Sequence, residues 1–413
     1  MSLSRFALLL VVFIDIMGQG LVFPIVTTIV MEPSAGFLPH HTTHSAREFD
    51  YGLVLGVFFF AWFLGAAYIS KLSDYIGRKN GILICLAGAF TGYVLTIIAL
   101  YLSSFALLIL GRAVSGFTAG NQPIAQAALV DISRDEEEKT SNMGMIVAAS
   151  ALGLVLGPLM AGGLSDKALL GSYASLELPF YGAVILVALN IAMIVWFYKE
   201  ENPQRRKIDF GISEVFLTLW RASRRPTVFR LSLVMFFIFL GLTSYYIFLN
   251  DYLLSRFQFG TLQNSIIMMI LGVALAFSSK FLVAPLSKRF NKTRIVSVTV
   301  VLMAFWVLVY MLNPVPGLSY LLLIPLMITY GITYPTMLGL FSASVESTEQ
   351  GWVMGVSIAL WCLSSGSVSL IGGALMSISI YMPFFISISA YLIAFVLTCT
   401  LWRNQGVQML DPR

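Results

Sequence analysis

Two charged residues sit inside long apolar runs where a charge is expensive: Asp15, in the run 6–30, and Arg112, in the run 105–131. Insertion scales charge a central Asp about 2.5–3.5 kcal/mol in a bilayer, so such a residue faces a cavity, pairs, or takes up a proton. Arg112 keeps its charge and needs a partner. Together they can run proton chemistry, in which loading of Asp15 competes with a cargo or reshapes a contact with Arg112. The alternative is a structural Asp hydrogen-bonded within a helix bundle and a structural Arg. Gln19 lies one turn beyond Asp15 on the same helical face. Asn121, Gln122 and Gln126, then Tyr245, Tyr246 and Asn250, then Tyr330 and Tyr334 can add polar lining to a substrate cavity, or serve packing and helix-to-helix hydrogen bonds. Lys280, late in the run 262–286, either snorkels its stem toward water or supplies a second cavity cation that favours anionic or carboxylate-bearing cargo.

The elements that hold these residues are membrane helices. Of the 413 residues, 58% are hydrophobic and 11% charged, with a mean hydropathy of +0.87; that composition contradicts a water-exposed surface and fits a lipid-exposed one. About 20 apolar residues cross a bilayer core of roughly 30 Å. Twelve stretches meet that requirement, at 6–30, 50–71, 80–101, 105–131, 143–164, 179–199, 228–250, 262–286, 294–312, 318–344, 352–376 and 380–402. Asp15, about nine residues into the first, lies roughly 14 Å deep at 1.5 Å per residue.

Basic residues bias loops toward the cytoplasm. With the N-terminus inside, Arg47, Lys167 and Arg256 are the Lys and Arg left outside, and Arg112 and Lys280 fall within spans, so 20 of the 25 lie on the inner side. Both termini are then cytoplasmic, and the +5 net charge reflects membrane orientation rather than a nucleic-acid partner. The first run reads as an uncleaved span, since no small-residue cleavage site follows it. Cys85, Cys362 and Cys399 are scattered in apolar stretches and suggest no disulfides. His40, His41 and His44 lack the partners of a metal site and read as a solvated loop, and Asn291-Lys292-Thr293 falls on the wrong side for glycosylation.

One connection is long and charge-rich, between spans six and seven. It divides the chain into a first bundle at 1–199, a cytoplasmic linker at 200–227 and a second bundle at 228–413. An internal repeat supports two homologous halves. Leu72-Ser73-Asp74-Tyr75-Ile76-Gly77-Arg78-Lys79 matches Leu286-Ser287-Lys288-Arg289-Phe290-Asn291-Lys292-Thr293 in outline at an offset of 214, and Met143-Gly144 recurs as Met354-Gly355 at an offset of 211. The expected architecture is an all-α membrane protein with twelve transmembrane helices in two pseudo-symmetric six-helix bundles.

Four motifs carry a family resemblance. The loop 72–79 resembles the signature loop of the major facilitator superfamily, with Ser70 where the family usually has Gly and Tyr75 where it usually has Arg. The resemblance implies a conformational latch of Asp74, Gly77, Arg78, Lys79 and Asp131, in which Asp74 faces the start of helix eleven near Trp352 and Arg78 pairs with Asp131. Span five, with Gly144, Gly153, Gly157-Pro158 and Ala161-Gly162-Gly163, resembles the antiporter motif of exporter branches. Its glycines allow close helix approach and Pro158 bends the helix, which predicts a tight but yielding contact between the halves. Asp15-Ile16-Met17-Gly18-Gln19-Gly20-Leu21-Val22-Phe23-Pro24 resembles the first-span motif of the drug-exporter branch, and 107–120 resembles the fourth-span motif. Together these look most like twelve-span drug:proton antiporters of the tetracycline-exporter-like group, over residues 10–165. The second half resembles that group only in layout, and tetracycline itself is not supported.

The resemblance implies a secondary active transporter of the inner membrane, a proton-coupled antiporter exporting a small amphipathic or anionic molecule by alternating access around a midplane cavity. It would act as a monomer with the proton as coupling ion and no other cofactor, in the chemistry of drug efflux and multidrug resistance. The alternative is a metabolite or carboxylate-siderophore transporter, working by efflux or by proton-symport uptake. A membrane enzyme would need a nucleophile, a metal set or paired carboxylates near one face, and none is found; a transporter-like sensor is disfavoured by the intact latch and glycine motifs.

Overall fold

The computed structural model describes residues 3–133, 135–200, 213–346, 349–402 and 407, without the side chains of 67, 70, 71, 74, 136, 137, 139–141, 213–218 and 351. The chain runs as helices α1 (Leu3–Met31), α2 (His44–Ile76), α3 (Arg78–Tyr101), α4 (Phe105–Phe117), α5 (Asn121–Asp131), α6 (Glu136–Ser165), α7 (Lys167–Leu170), α8 (Leu178–Phe197), α9 (Ser213–Arg224), α10 (Pro226–Phe257), α11 (Thr261–Phe281), α12 (Val283–Arg289), α13 (Lys292–Met311), α14 (Ser319–Ala343), α15 (Gln350–Met376) and α16 (Met382–Leu401). Among the described residues, 11 helices are long and apolar enough to cross a membrane unbroken.

The remaining crossing differs from the sequence expectation. Instead of one helix over 105–131, it consists of α4 and α5, 13 and 11 residues long, joined through Thr118, Ala119 and Gly120. Pro123 explains the break. Its ring would strike the carbonyl of Ala119 in a continuous helix, and it has no N–H to donate there. Placed in the first turn of a new helix, the same proline costs nothing.

Two compact units result. The first comprises Met1–Gly211 with Phe259–Met269, the second Ile212–Gln258 with Ile270–Arg413. The division therefore falls at the far end of the segment 200–211, and the beginning of α11 groups with the first unit. Within the first unit α1 packs on α6, and α3 on α4 and α8. Within the second, α10 packs on α15, and α13 on α14 and α16. The helix pairs correspond span by span, as a duplicated six-span unit requires. Ion pairs repeat with them: Arg5 at the start of α1 pairs with Glu138 at the start of α6, and Arg225 before α10 grips Glu349 before α15 through two hydrogen bonds of 2.5 and 2.7 Å. Glu138 and Glu349 are 211 residues apart, the same offset as the Met-Gly pairs.

Candidate functional site

Asp15 and Arg112 line one cavity of about 30 Å³ inside the first unit, with Gln19, Tyr93, Ser115, Thr118 and Asn121 as its other polar walls. Helix phase puts them there. Gly153 and Gly157 of α6 press on the backbone of α1, so close that a Cβ would lie 2.6 Å from the Phe13 carbonyl oxygen or 2.4 Å from that of Met17. Side chains advance about 100° per residue, so with Phe13, Met17 and Leu21 against α6, Asp15 and Gln19 turn to the opposite side. Gly18 completes the wall: a Cβ there would meet the Tyr93 hydroxyl at 1.9 Å, so its absence lets Tyr93 reach into the cavity. On the facing side Gly116 of α4 abuts the Phe58 carbonyl of α2, where a Cβ would lie 2.3 Å away, and this contact sets the position of Arg112 one turn earlier.

Arg112 is buried and makes no ion pair among the described residues. Its guanidinium lies 4.1 Å from the centroid of the Phe58 ring, a cation–π contact that partly replaces a counterion. Its Nε and the Asn121 Oδ1 are buried without a hydrogen-bond partner among the described residues. Asp15 accepts from the backbone N–H of Gln122, in the first turn of α5. The break in span four thus has a chemical consequence: it exposes a helix N-terminus, with its spare N–H groups, beside the carboxylate. Tyr93 lies within electrostatic range of both Asp15 and Arg112. The two charges therefore share a cavity with Tyr93 between their fields and form no direct salt bridge. A cavity holds a water once it exceeds roughly 10–15 Å³ and offers polar partners; this one can pass a proton among Asp15, Tyr93 and water, and is far below the roughly 300–1,000 Å³ of a drug-sized pocket.

The helix phase of α6 corrects one expectation. Gly153 and Gly157 close on α1 within the first unit, and their contact does not join the two halves. Gly162, about 180° around from Gly153 at 100° per residue, packs on Ser265 of α11, where a Cβ would lie 2.6 Å from the serine Cβ. Pro158 fills the space above Gly20, and a Cβ at Gly144 would meet no atom of the described residues within 4 Å.

At the other end of the unit α2 and α3 meet at a single residue, Gly77, with φ 96° and ψ 152°. Glu200, just after α8, caps α3 by accepting from the N–H of Arg78 at 2.7 Å and of Lys79 at 3.3 Å. Arg78 Nε lies 3.8 Å from Asp131 Oδ2, and Lys79 Nζ donates to the Val195 carbonyl at 2.8 Å. The side chain of Asp74 lies outside the described residues. At the start of α15, Arg221 and Arg225 lie 5.9 and 5.2 Å from the Trp352 ring.

Residues 8–369 match the Major Facilitator Superfamily. The chain belongs to that superfamily. It is 27% identical over 383 residues to the class C tetracycline resistance protein of Escherichia coli, covering 89% of this chain and 88% of that protein. The class D tetracycline resistance protein of Salmonella ordonez is 28% identical over 367 residues, covering 85% and 84%. The crystal structure of the human organic anion transporter MFSD10 (TETRAN) superimposes with a TM-score of 0.71 at 20% identity, covering 96% of this chain and 99% of that one. A major facilitator protein is a multi-pass membrane transporter that moves a small molecule across a lipid bilayer, and it is not an enzyme.

The remaining candidates fall elsewhere in the major facilitator fold. Gln122 and Gln126 are half-buried on α5 and do not line the Asp15 cavity. In the second unit Tyr330 and Tyr334 stack with centroids 5.8 Å apart, Tyr334 packs on Phe239, and Tyr245 and Asn250 are fully buried, with the Tyr245 hydroxyl directed at Met327; Tyr246 is half-buried. Lys280 is exposed, its Nζ 5.2 Å from the Phe281 ring. Sequence reasoning missed Tyr93, Phe58 and Glu200.

Proposed function

We propose that this chain is a proton-coupled antiporter of the bacterial inner membrane, with both termini cytoplasmic, that exports a small amphipathic or anionic molecule by alternating access. It works as a monomer, with the proton as coupling ion and no other cofactor. The observation that supports the reading is the small cavity shared by Asp15, Tyr93 and Arg112, in which Asp15 accepts from the Gln122 amide and has no counterion among the described residues. A group so placed changes its proton occupancy at little structural cost. The cavity is too small for cargo, so cargo is held by other residues. Similarity to tetracycline resistance proteins and to an organic anion transporter suggests the two compound classes to offer it.

The test uses everted vesicles carrying an imposed pH gradient, read by a pH-sensitive dye, with tetracycline and fluorescein as probes. The wild-type chain should dissipate the gradient when one of the probes is added, and Asp15→Asn should abolish that response while leaving gradient-free exchange of the same probe. Proton-driven flux retained by Asp15→Asn would sink the assignment. Dissipation only when the probe is offered from the opposite face would identify uptake by symport instead.

A further inference from the structure

A second carboxylate is hidden in the second unit. Asp251 sits near one end of α10, fully buried. Its Oδ2 has no hydrogen-bond partner, and its Oδ1 has only the Ser255 hydroxyl at 3.4 Å, longer than the 2.5–3.0 Å of an ordinary O–H···O bond. No base answers it. Within its unit α10 packs against α9, α14, α15 and α16, and its end also meets the end of α13, where Tyr310 lies 6.1 Å from the Tyr252 ring while the bases Lys292 and Arg294 stand at the far end of that helix. Of these, α15 contains no ionisable side chain except Cys362, α16 none except Tyr391 and Cys399, and α14 none except three tyrosines. The basic residues of α9 meet the opposite end of α10. On α10 itself Arg256 is turned away: it donates to the Tyr252 hydroxyl at 2.5 Å and the Met311 carbonyl at 3.0 Å, and lies over the rings of Tyr252, Phe257 and Tyr381.

A buried carboxylate with a single long hydrogen bond and no counter-charge does not stay ionised; it takes up a proton and becomes neutral. Ser255 stands one turn nearer the end of the helix and is half-buried, and the exposed Gln258 follows at the C-cap. Asp251 is thus about 10 Å from the helix end at 1.5 Å per residue, with a hydroxyl between it and the surface. The geometry points to Asp251 as a second proton-binding site, in the second bundle, loaded and emptied through Ser255. It does not depend on the role of Asp15, and the two assignments can fail separately.

Proton binding is read without any cargo. Infrared spectra of the purified full chain in lipid, titrated from acid to alkaline pH, report the carbonyl stretch of each protonated carboxylic acid. Wild type minus Asp251→Asn should contain one such band that vanishes reversibly on the alkaline side, and Asp15→Asn should leave that band in place. Asp251→Glu, which keeps the acid should Asn not fold, should move the band without removing it. Ser255→Ala should slow its appearance after a pH jump. A difference spectrum without the band, a band that persists at every pH, or a band unmoved in Asp251→Glu overturns the assignment.

Discussion

Glycines within α6 should respond in opposite directions to the same substitution. Alanine in place of glycine in a helix interior gains about 0.8–1.0 kcal/mol of intrinsic propensity. At Gly144, where an added Cβ would meet no atom of the described residues within 4 Å, that gain is the whole effect, so Gly144→Ala should be neutral to stabilising by about 1 kcal/mol. At Gly157 the new methyl would lie 2.4 Å from the Met17 carbonyl oxygen, 3.1 Å from its carbon and 3.2 Å from the Leu21 nitrogen. All three are backbone atoms of a helix that cannot swing aside as a side chain would. Restoring ordinary contact at 3.4 Å or more needs about 1 Å of separation between α1 and α6 along their shared face. Overpacking costs about 1–3 kcal/mol, occasionally more, and here it exceeds the propensity gain. Gly157→Ala should therefore be destabilising, by up to about 2 kcal/mol, with Gly153→Ala behaving alike. The assay is thermal unfolding of each purified variant in one detergent, with Gly144→Ala as the control for propensity in the same helix. Equal midpoints for Gly157→Ala and Gly144→Ala would refute the close approach of α6 to α1.

Two further outcomes follow from the polar ends of the helices. Gly77→Ala places a Cβ at φ 96° and 2.5 Å from Glu200 Oε2, so it should cost about 1–3 kcal/mol of backbone strain and lower the unfolding midpoint more than Glu200→Gln does. Hydrogen bonds from Arg225 hold the Glu349 carboxyl below its usual value of 4.5. A depressed carboxylate contributes stability that is complete above its unfolded pKa and lost as pH falls through the folded one. The midpoint difference between wild type and Glu349→Gln should then be constant from neutral pH down to about 5 and shrink below about 4.5; a difference that does not change with acidification would contradict the ion pair.

Most of the fold was legible because membrane helices are written in uninterrupted apolar length, and Asp15 and Arg112 were legible because a charge in such a run is expensive whatever its role. Tyr93 and Phe58 were not, since an aromatic residue in an apolar stretch reads as packing whether or not it faces a charge. Glu200 was hidden for the opposite reason: a carboxylate in a charge-rich connection looks solvated, and only the turn at Gly77 brings two orphan N–H groups to it. The break in span four did have a signal, Gly120 followed by Pro123, but hydropathy, which is blind to a missing N–H, outweighed it. Asp251 fell one residue past the edge assigned to its span, where an acid reads as a loop residue. The glycines of span five were recognised, yet their partners depend on phase around the helix, and phase assigns Gly153 and Gly162 to different neighbours.

That broken span also changes what the crossing can do mechanically. A single rod from 105 to 131 would carry any tug on Asp131 straight to Arg112. Two rods joined through three residues do not share one continuous helical hydrogen-bond ladder. Movement of Arg78 against Asp131 can slide or tip α5, about 16 Å long for its 11 residues, and so shift the Gln122 amide relative to Asp15, while α4 and its guanidinium stay clamped on Phe58. The lower lever can thus adjust one wall of the cavity while the upper one keeps the other still.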